Sequence, residues 1–252
     1  MQNSTDATRL GINRTGIQMS PQHSEQMLNA TQLLDSTLTA EQTDTTDNQP
    51  LSAVRLEYIA AADPLGSVPA PATLRGAAKS GAKMLTGRRP QVFIDKLAER
   101  LAFERSGARL YDAVYAKAIA HEAELDKVSA QELLEIRDAE AQHALLIKQC
   151  METLGADPTA QTPCADLVGV ETSGLLQAAS DPRTTLAQTL HAALAAELID
   201  NEGWENLITL ARDMGHDDMV TRFQAALTEE GVHLAKVRKW YATLTMETSE
   251  LM

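Results

Sequence analysis

Four long segments of the chain repeat apolar residues at intervals of three and four, and this pattern limits the possible folds more than any other feature. Such spacing places the apolar side chains along one side of an α-helix, and that side must be buried against other helices. We predict helices over about residues 91–121, 128–154, 184–212 and 217–244. Each would be roughly 40 Å long at a rise of ~1.5 Å per residue, as in a helical bundle.

The connections between these segments predict how the helices pair. Ser129, with Glu132 three positions later, has the pattern of a capping box, and Gly155 stands where a helix C-terminal glycine is expected. The first and second helices, and likewise the third and fourth, are joined by short links, so each pair should form an antiparallel hairpin. About 29 residues separate the second helix from the third. That length allows a crossover that runs along the whole bundle.

Each apolar stripe is interrupted near its middle by a glutamate. These glutamates are Glu104, Glu140, Glu197 and Glu230, and His143 and His233 lie on the same faces. A buried glutamate without a partner is costly, and four converging carboxylates cannot all remain ionised. Two divalent cations would supply four positive charges against these four negative ones. The stripes therefore predict a dinuclear metal site.

The two histidines strengthen this prediction because of their position in the order of motifs. Glu140 to His143 and Glu230 to His233 are the only two Glu-x-x-His sequences in the chain. Residues i and i+3 are neighbours on a helix, so the carboxylate and the imidazole can bind the same cation. Along the four helices the order is Glu, Glu-x-x-His, Glu, Glu-x-x-His. This repetition indicates two related hairpins.

The chain from about Arg89 to Tyr241 resembles the ferritin-like superfamily of di-iron carboxylate proteins. The strings DKLAERLAFERSGARLYDA, AELIDNEGWENLITLARDMGH and TEEGVHLAKVRKWY are similar to a bacterial subgroup described only as ferritin-like domain proteins. The resemblance implies an all-α, ferritin-like four-helix bundle with two metal ions per chain. Iron is the first choice for these ions and manganese is the alternative. The resemblance also implies a role for each ligand: Glu104 and Glu197 would each bind one ion, Glu140 and Glu230 would bridge the two, and His143 and His233 would each complete one.

Residues 1–88 differ in composition from the rest of the chain. They are rich in Ser, Thr, Asn, Gln and Asp, which is too polar for a core, and PLGSVPAPATL within them is typical of an extended linker. We expect a polar, largely disordered N-terminal extension and linker over 1–88, in which a short helix near Ser24–Leu34 is a candidate element. The ferritin-like bundle would occupy residues 89–252.

Charge and cysteine content narrow the functional classes. The formal net charge of −13 argues against binding to nucleic acid. Two cysteines are too few for a disulfide framework, so a reducing compartment is expected. The sequence has no apolar leader and no stretch approaching ~18 apolar residues. We therefore expect a cytoplasmic protein that does not bind membranes; it could form a homodimer.

The leading functional hypothesis is a non-haem dinuclear metal protein, with iron as the first choice. It would act as an oxidase or ferroxidase, with O2, peroxide or Fe2+ as its small-molecule substrate. A metal-binding or stress-associated protein without turnover is one alternative. A dimanganese catalase is another, because carboxylates and imidazoles suit either metal.

Several other polar and aromatic residues lie near the predicted site in sequence. Glu99, Glu202, Glu205 and Glu229 fall off the apolar stripes and are expected to be solvated. Asp200, one turn beyond Glu197, is a possible additional ligand or an acceptor for a histidine N–H, with a partly solvated side chain as the alternative. Tyr111 and Trp204 lie on the stripes, where core packing is favoured over a redox role.

Overall fold

The computed structural model describes residues 49–63, 65–69 and 90–250, and within these ranges it contains helices and no strand. The helices are α1 (Gln49–Ala61), α2 (Pro90–Ala120), α3 (Ala130–Leu154), α4 (Pro163–Ser180), α5 (Leu186–Asp213) and α6 (Asp217–Glu250), with a short 3-10 turn at Glu122–Glu124. None of the helices in the described part of the chain is long and apolar enough to span a membrane. The four predicted long helices are confirmed as α2, α3, α5 and α6.

α1 belongs to a separate unit, residues 1–67, and lies in the segment that we expected to be largely disordered. The sequence analysis did not predict this helix. Its sequence, QPLSAVRLEYIAA, contains several good helix formers, and Pro50 is at its second position, where proline is tolerated. The helix considered near Ser24–Leu34 lies outside the described residues. The division of the chain at residue 88 stays a prediction.

The helix caps agree only in part with the predicted pattern. Ser129 Oγ accepts a hydrogen bond from the Glu132 N–H at 3.2 Å, as expected. The Glu132 carboxylate instead lies 2.8 Å from Nζ of Lys236 on α6. A complete capping box occurs at the start of α5, where Thr185 and Gln188 each accept a hydrogen bond from the other's main-chain N–H. This box fixes the beginning of α5 after Thr185.

The connection between α3 and α5 contains α4, a helix that the sequence analysis did not predict. Thr162 caps it by accepting a hydrogen bond from the Ala165 N–H at 3.4 Å, and Pro163 is at its first position. α4 packs against α2 and α5. Only a narrow face of α4 is buried, and this face includes Val168 and Ala179. Other apolar residues of α4, such as Leu167 and Val170, are exposed, so its sequence does not mark a single buried stripe.

Two apolar clusters fill the bundle, and they show the direction of each helix. Leu97, Ile147, Trp204 and Phe223 belong to the first cluster, and Tyr111, Leu133, Leu190 and Val237 belong to the second. Along the chain, α2 and α6 pass from the first cluster to the second, whereas α3 and α5 pass from the second to the first. α4 returns the chain from the end of α3 to the start of α5. On each of these four long helices the predicted ligands lie between the two clusters.

Candidate metal centre

All six predicted ligands are buried in the layer between the two apolar clusters. α2 carries Glu104, α3 carries Glu140 and His143, α5 carries Glu197, and α6 carries Glu230 and His233. The most exposed side chain of the six, that of His233, is only 9% exposed. Each of the four helices therefore contributes ligands from its buried face, and together they supply four carboxylates and two imidazoles.

The ligand atoms form two groups that share Glu230. One consists of Glu104, His143 and Glu230, and the other of Glu140, Glu197, Glu230 and His233. Within each group, one ligand atom per residue lies within 4.8 Å of the others. A third group joins Glu104, Glu140 and Glu230 to Asp200. These buried Glu and His clusters could hold metal ions.

Both histidines turn Nδ1 toward the carboxylates. Nδ1 of His143 lies 2.6 Å from Glu230 Oε1 and 3.8 Å from Glu104 Oε2. Nδ1 of His233 lies 3.0 Å from Glu230 Oε2 and 3.8 Å from Glu140 Oε1. In each case the imidazole nitrogen lies near the shared Glu230 and near one other glutamate of the cluster. The same nitrogen of both rings is thus available for a cation.

Glu229 contacts the site, contrary to the expectation that it would be a solvated charge without a role there. Its side chain is 62% exposed, yet Oε2 lies 3.0 Å from Nε2 of His143. In a neutral ring whose Nε2–H donates to this carboxylate, the lone pair of Nδ1 faces the cluster. Glu229 was overlooked because it is off the apolar stripe, one position before Glu230. The structure describes Glu202 and Glu205 as exposed, in agreement with their expected solvation.

Asp200 is buried, and its ionic partner is an arginine that the sequence analysis did not select. Arg100 Nη1 lies 2.9 Å from Asp200 Oδ1, and Arg100 Nε lies 3.0 Å from Glu104 Oε1. Arg100 itself is only 4% exposed. Asp200 therefore pairs with a guanidinium in place of the expected histidine N–H. A role for Asp200 as an additional ligand stays a prediction. Arg100 could have been noticed as a charge one helical turn before Glu104, on the same face.

The two aromatic residues that we assigned to core packing also touch the ligands. The Tyr111 hydroxyl donates a hydrogen bond to Oε1 of Glu197. The ring of Trp204 meets that of His143 edge to face, with 5.5 Å between the centroids. Tyr111 therefore orients a proposed ligand, and Trp204 supports an imidazole. Neither contact was predicted.

Two glycines leave the space that the charged side chains occupy. A Cβ atom at Gly107 would lie 2.2 Å from Oε2 of Glu140, and one at Gly203 would lie 2.0 Å from Nη1 of Arg100. Both distances are far shorter than a van der Waals contact. At these positions on α2 and α5, any larger residue would require Glu140 or Arg100 to move.

Burial makes most of these carboxyl groups difficult to ionise. Loss of water raises the pKa of Glu104, Glu140, Glu197 and Asp200 well above their ordinary values, and the neighbouring carboxylates add to this effect. Oε2 of Glu104 and both carboxyl oxygens of Glu140 accept no hydrogen bond from the described residues, and Oε1 of Glu104 has the ion pair with Arg100. Buried acceptors of this kind are unfavourable unless they bind a proton or a cation. The donor set therefore fits a cation-binding site.

Glu230 behaves in the opposite way. Burial alone would raise the pKa of its carboxyl group, but hydrogen bonds from His143 and His233 and their positive charge lower that pKa to about 2. The pKa of His143 is in turn raised: burial opposes its charge, but its hydrogen bond with Glu230 and the carboxylate of Glu104 favour it. While no cation is bound, the His143 imidazole and the Glu230 carboxylate thus favour each other's charged form.

With Asp200 and Arg100 included, the net charge of the cluster is the same as the charge predicted from the four glutamates alone. When ionised, the four glutamates and Asp200 carry five negative charges, Arg100 carries one positive charge, and the neutral histidines carry none. The remaining four negative charges equal those that we expected from the glutamates alone. Asp200 and Arg100 cancel each other, so two divalent cations would still make the cluster neutral.

Comparison with known proteins identifies a family without a known activity. Residues 89–249, more than half of the chain, match the family described as "Domain of unknown function (DUF892)". No curated protein matches the chain.

Proposed function

Because the chain belongs to DUF892, a family described as a domain of unknown function, we propose its function from the site itself. The bundle is of the ferritin-like type and binds two metal ions, with iron as the first choice and manganese as the alternative. The observation that carries this proposal is the convergence of the six predicted ligands, which form two groups joined by Glu230. The connection of two hairpins by α4 supports the ferritin-like arrangement.

Each ligand has a role in this proposal that its neighbours support. Glu104 and His143 hold the first ion, and Glu197 and His233 hold the second. Glu140 and Glu230 bridge them: Glu230 is common to both ligand groups, and Glu140 lies in one group with Glu197 and in another with Glu104. Carboxylates and imidazoles are suitable ligands for ferrous iron and for manganese.

The proposed activity is the oxidation of a substrate with O2 or peroxide. A bound pair of ferrous ions would supply the electrons and open coordination positions for this chemistry. The chain keeps four carboxylates ionised around the ions and excludes water with the two apolar clusters. Tyr111 holds Glu197 through its hydroxyl hydrogen bond, and Glu229 holds the ring of His143. Fe2+, peroxide or an organic molecule could be the substrate.

The exposed edge of the site suggests where a cation would reach it. Glu104, Glu140 and Glu230 are fully buried or nearly so, whereas His143 and His233 retain slight exposure. Glu229, which contacts His143, is largely exposed. An incoming Fe2+ would therefore first meet the Glu229 carboxylate, between α3 and α6. This arrangement favours Fe2+ as the substrate over a large organic molecule.

The metal content of the purified protein tests the proposal, with Glu140→Ala and Glu202→Ala as a matched pair. Glu140→Ala removes a bridging carboxylate, so the metal content should fall well below two ions per chain. Glu202→Ala removes an exposed glutamate from α5 and should leave it unchanged. Equal metal content in the two variants would refute the proposed site. Addition of Fe2+ or Mn2+ should also raise the melting temperature of the metal-free wild type.

Activity measurements on the loaded protein separate the proposed oxidase from its alternatives. Oxidation of Fe2+ in air supports the ferroxidase, whereas rapid release of O2 from peroxide points to a dimanganese catalase. Metal binding without either activity would indicate sequestration.

A further inference from the structure

Arg100 is a fixed positive charge inside the carboxylate cluster. Its Nη1 donates a hydrogen bond to the main-chain oxygen of Asp200 at 3.1 Å, and its guanidinium carbon lies 4.2 Å from the centre of the Phe103 ring. Nε and Nη1 also lie about 3 Å from carboxylate oxygens of Glu104 and Asp200. The absence of a Cβ at Gly203 leaves the space for Nη1. Contacts on several sides thus hold the guanidinium in one position.

The carboxylates around this guanidinium could themselves form a cation site. Glu104, Glu140, Asp200 and Glu230 are buried, and each offers an oxygen within 4.8 Å of the others. Arg100 pairs with Oε1 of Glu104 and Oδ1 of Asp200, but among the described residues neither Oε2 of Glu104 nor either oxygen of Glu140 accepts a hydrogen bond. Four oxygen donors of this kind suit a divalent cation such as Mn2+. Arg100 contacts two of the four residues, Glu104 and Asp200.

We infer that Arg100 takes the place of a third metal ion and thereby limits the cluster to two ions. This inference rests on the proposed function, because it assumes that the other two positions bind metal. Five carboxylates are neutralised by two divalent cations together with Arg100. Removal of the guanidinium leaves one negative charge in excess and frees the Asp200 carboxylate. A third divalent cation can then bind among Glu104, Glu140, Asp200 and Glu230.

The experiment is a count of Mn2+ ions bound per chain, from the electron paramagnetic resonance signal of the free ion at equilibrium. The full-length wild type should bind two ions and Arg100→Ala three. Arg100→Lys keeps the charge, and the double variant Arg100→Ala/Asp200→Asn removes both partners, so each should bind two. Arg105→Ala is the matched control because Arg105 is exposed on the same helix, and it should also bind two. Circular dichroism verifies that each variant is folded.

The outcomes distinguish this inference from the proposed function. If the wild type binds two ions and folded Arg100→Ala binds two or fewer, the inference is wrong and the proposed function stands. If the wild type binds none, the proposed function is wrong and the inference is wrong with it.

Should Arg100→Ala fail to fold, Asp200→Asn tests the same charge balance. This variant leaves Glu104 as the one carboxylate paired with the guanidinium and leaves the cluster one negative charge short, so we expect about tenfold weaker Mn2+ binding. Affinity should recover in Arg100→Gln/Asp200→Asn. Unchanged affinity in Asp200→Asn would overturn the inference.

Discussion

Substitution of Gly107 by alanine should damage the metal site without removing any ligand. The new Cβ would lie 2.2 Å from Oε2 of Glu140, and the next nearest atom, Cδ of the same side chain, would lie 3.0 Å away. Relief of this clash requires the carboxylate to move by about 1 Å, whereas metal–oxygen distances tolerate only ~0.2 Å. We therefore expect Glu140 to be displaced from both ions. Mn2+ affinity should fall by at least about tenfold.

The stability of the metal-free variant should change much less than its affinity. Alanine is better than glycine in a helix interior by ~1 kcal/mol, and overpacking costs about 1–3 kcal/mol. Since the clash involves the end of a flexible side chain, the low end of that cost applies. We expect the free energy of unfolding to decrease by no more than ~1 kcal/mol, measured by urea denaturation without metal.

Gly174→Ala is the control for this prediction. Gly174 lies within α4, and a Cβ there would meet nothing within 4 Å. This variant should gain up to ~1 kcal/mol of stability and bind Mn2+ like the wild type. Wild-type Mn2+ affinity in folded Gly107→Ala would show that Glu140 is not a ligand or that its position is unimportant.

Three further predictions follow from the charges, the hydrogen bonds and the chain organisation. Burial raises the pKa of four carboxyl groups, those of Glu104, Glu140, Glu197 and Asp200, so the metal-free native state binds protons more tightly than the unfolded chain. The free energy of unfolding, measured by urea denaturation without metal, should therefore fall as the pH rises from about 5 to 8. The lowered pKa of Glu230 changes the stability only as the pH falls from 4.5 towards 2, which is outside this range, and a stability that increased between pH 5 and 8 would contradict the prediction. Tyr111→Phe removes the donor to Glu197 and should weaken Mn2+ binding, whereas Tyr115→Phe on the same helix should not. A chain that begins near residue 85 should keep its helicity and metal content, because all six ligands lie downstream. Circular dichroism and metal analysis measure these two properties, and loss of either would show that the N-terminal segment contributes to the core.

The sequence was sufficient to predict the long helices and the inward glutamates because both depend on a one-dimensional pattern. A glutamate within an apolar stripe must face the interior of the bundle, whatever the loops do. Glu104 and Glu197 could be selected in this way, although neither belongs to a Glu-x-x-His motif. Their burial in the structure agrees with that selection. Their binding to metal stays a prediction.

The partners of these ligands could not be predicted in the same way, because they depend on contacts between distant segments. Arg100 meets Asp200 only after α2 and α5 have packed together. Glu229 reaches His143 from a neighbouring helix, although its own position on α6 points to solvent. α4 escaped prediction for a related reason: its narrow buried face is defined by the surfaces of α2 and α5 against which it packs.

The charged layer between the two apolar clusters also affects how the bundle holds together. Each cluster contains segments of α2, α3, α5 and α6, so the four helices pass through two separate hydrophobic cores. Without metal, the layer between these cores contains mutually repelling groups, and each core can open as a partly independent cooperative unit. Bound cations would couple the two openings, because separation of the helices at either end would then disturb the same ligands. Metal would thus turn two small cores into one unit that unfolds as a whole.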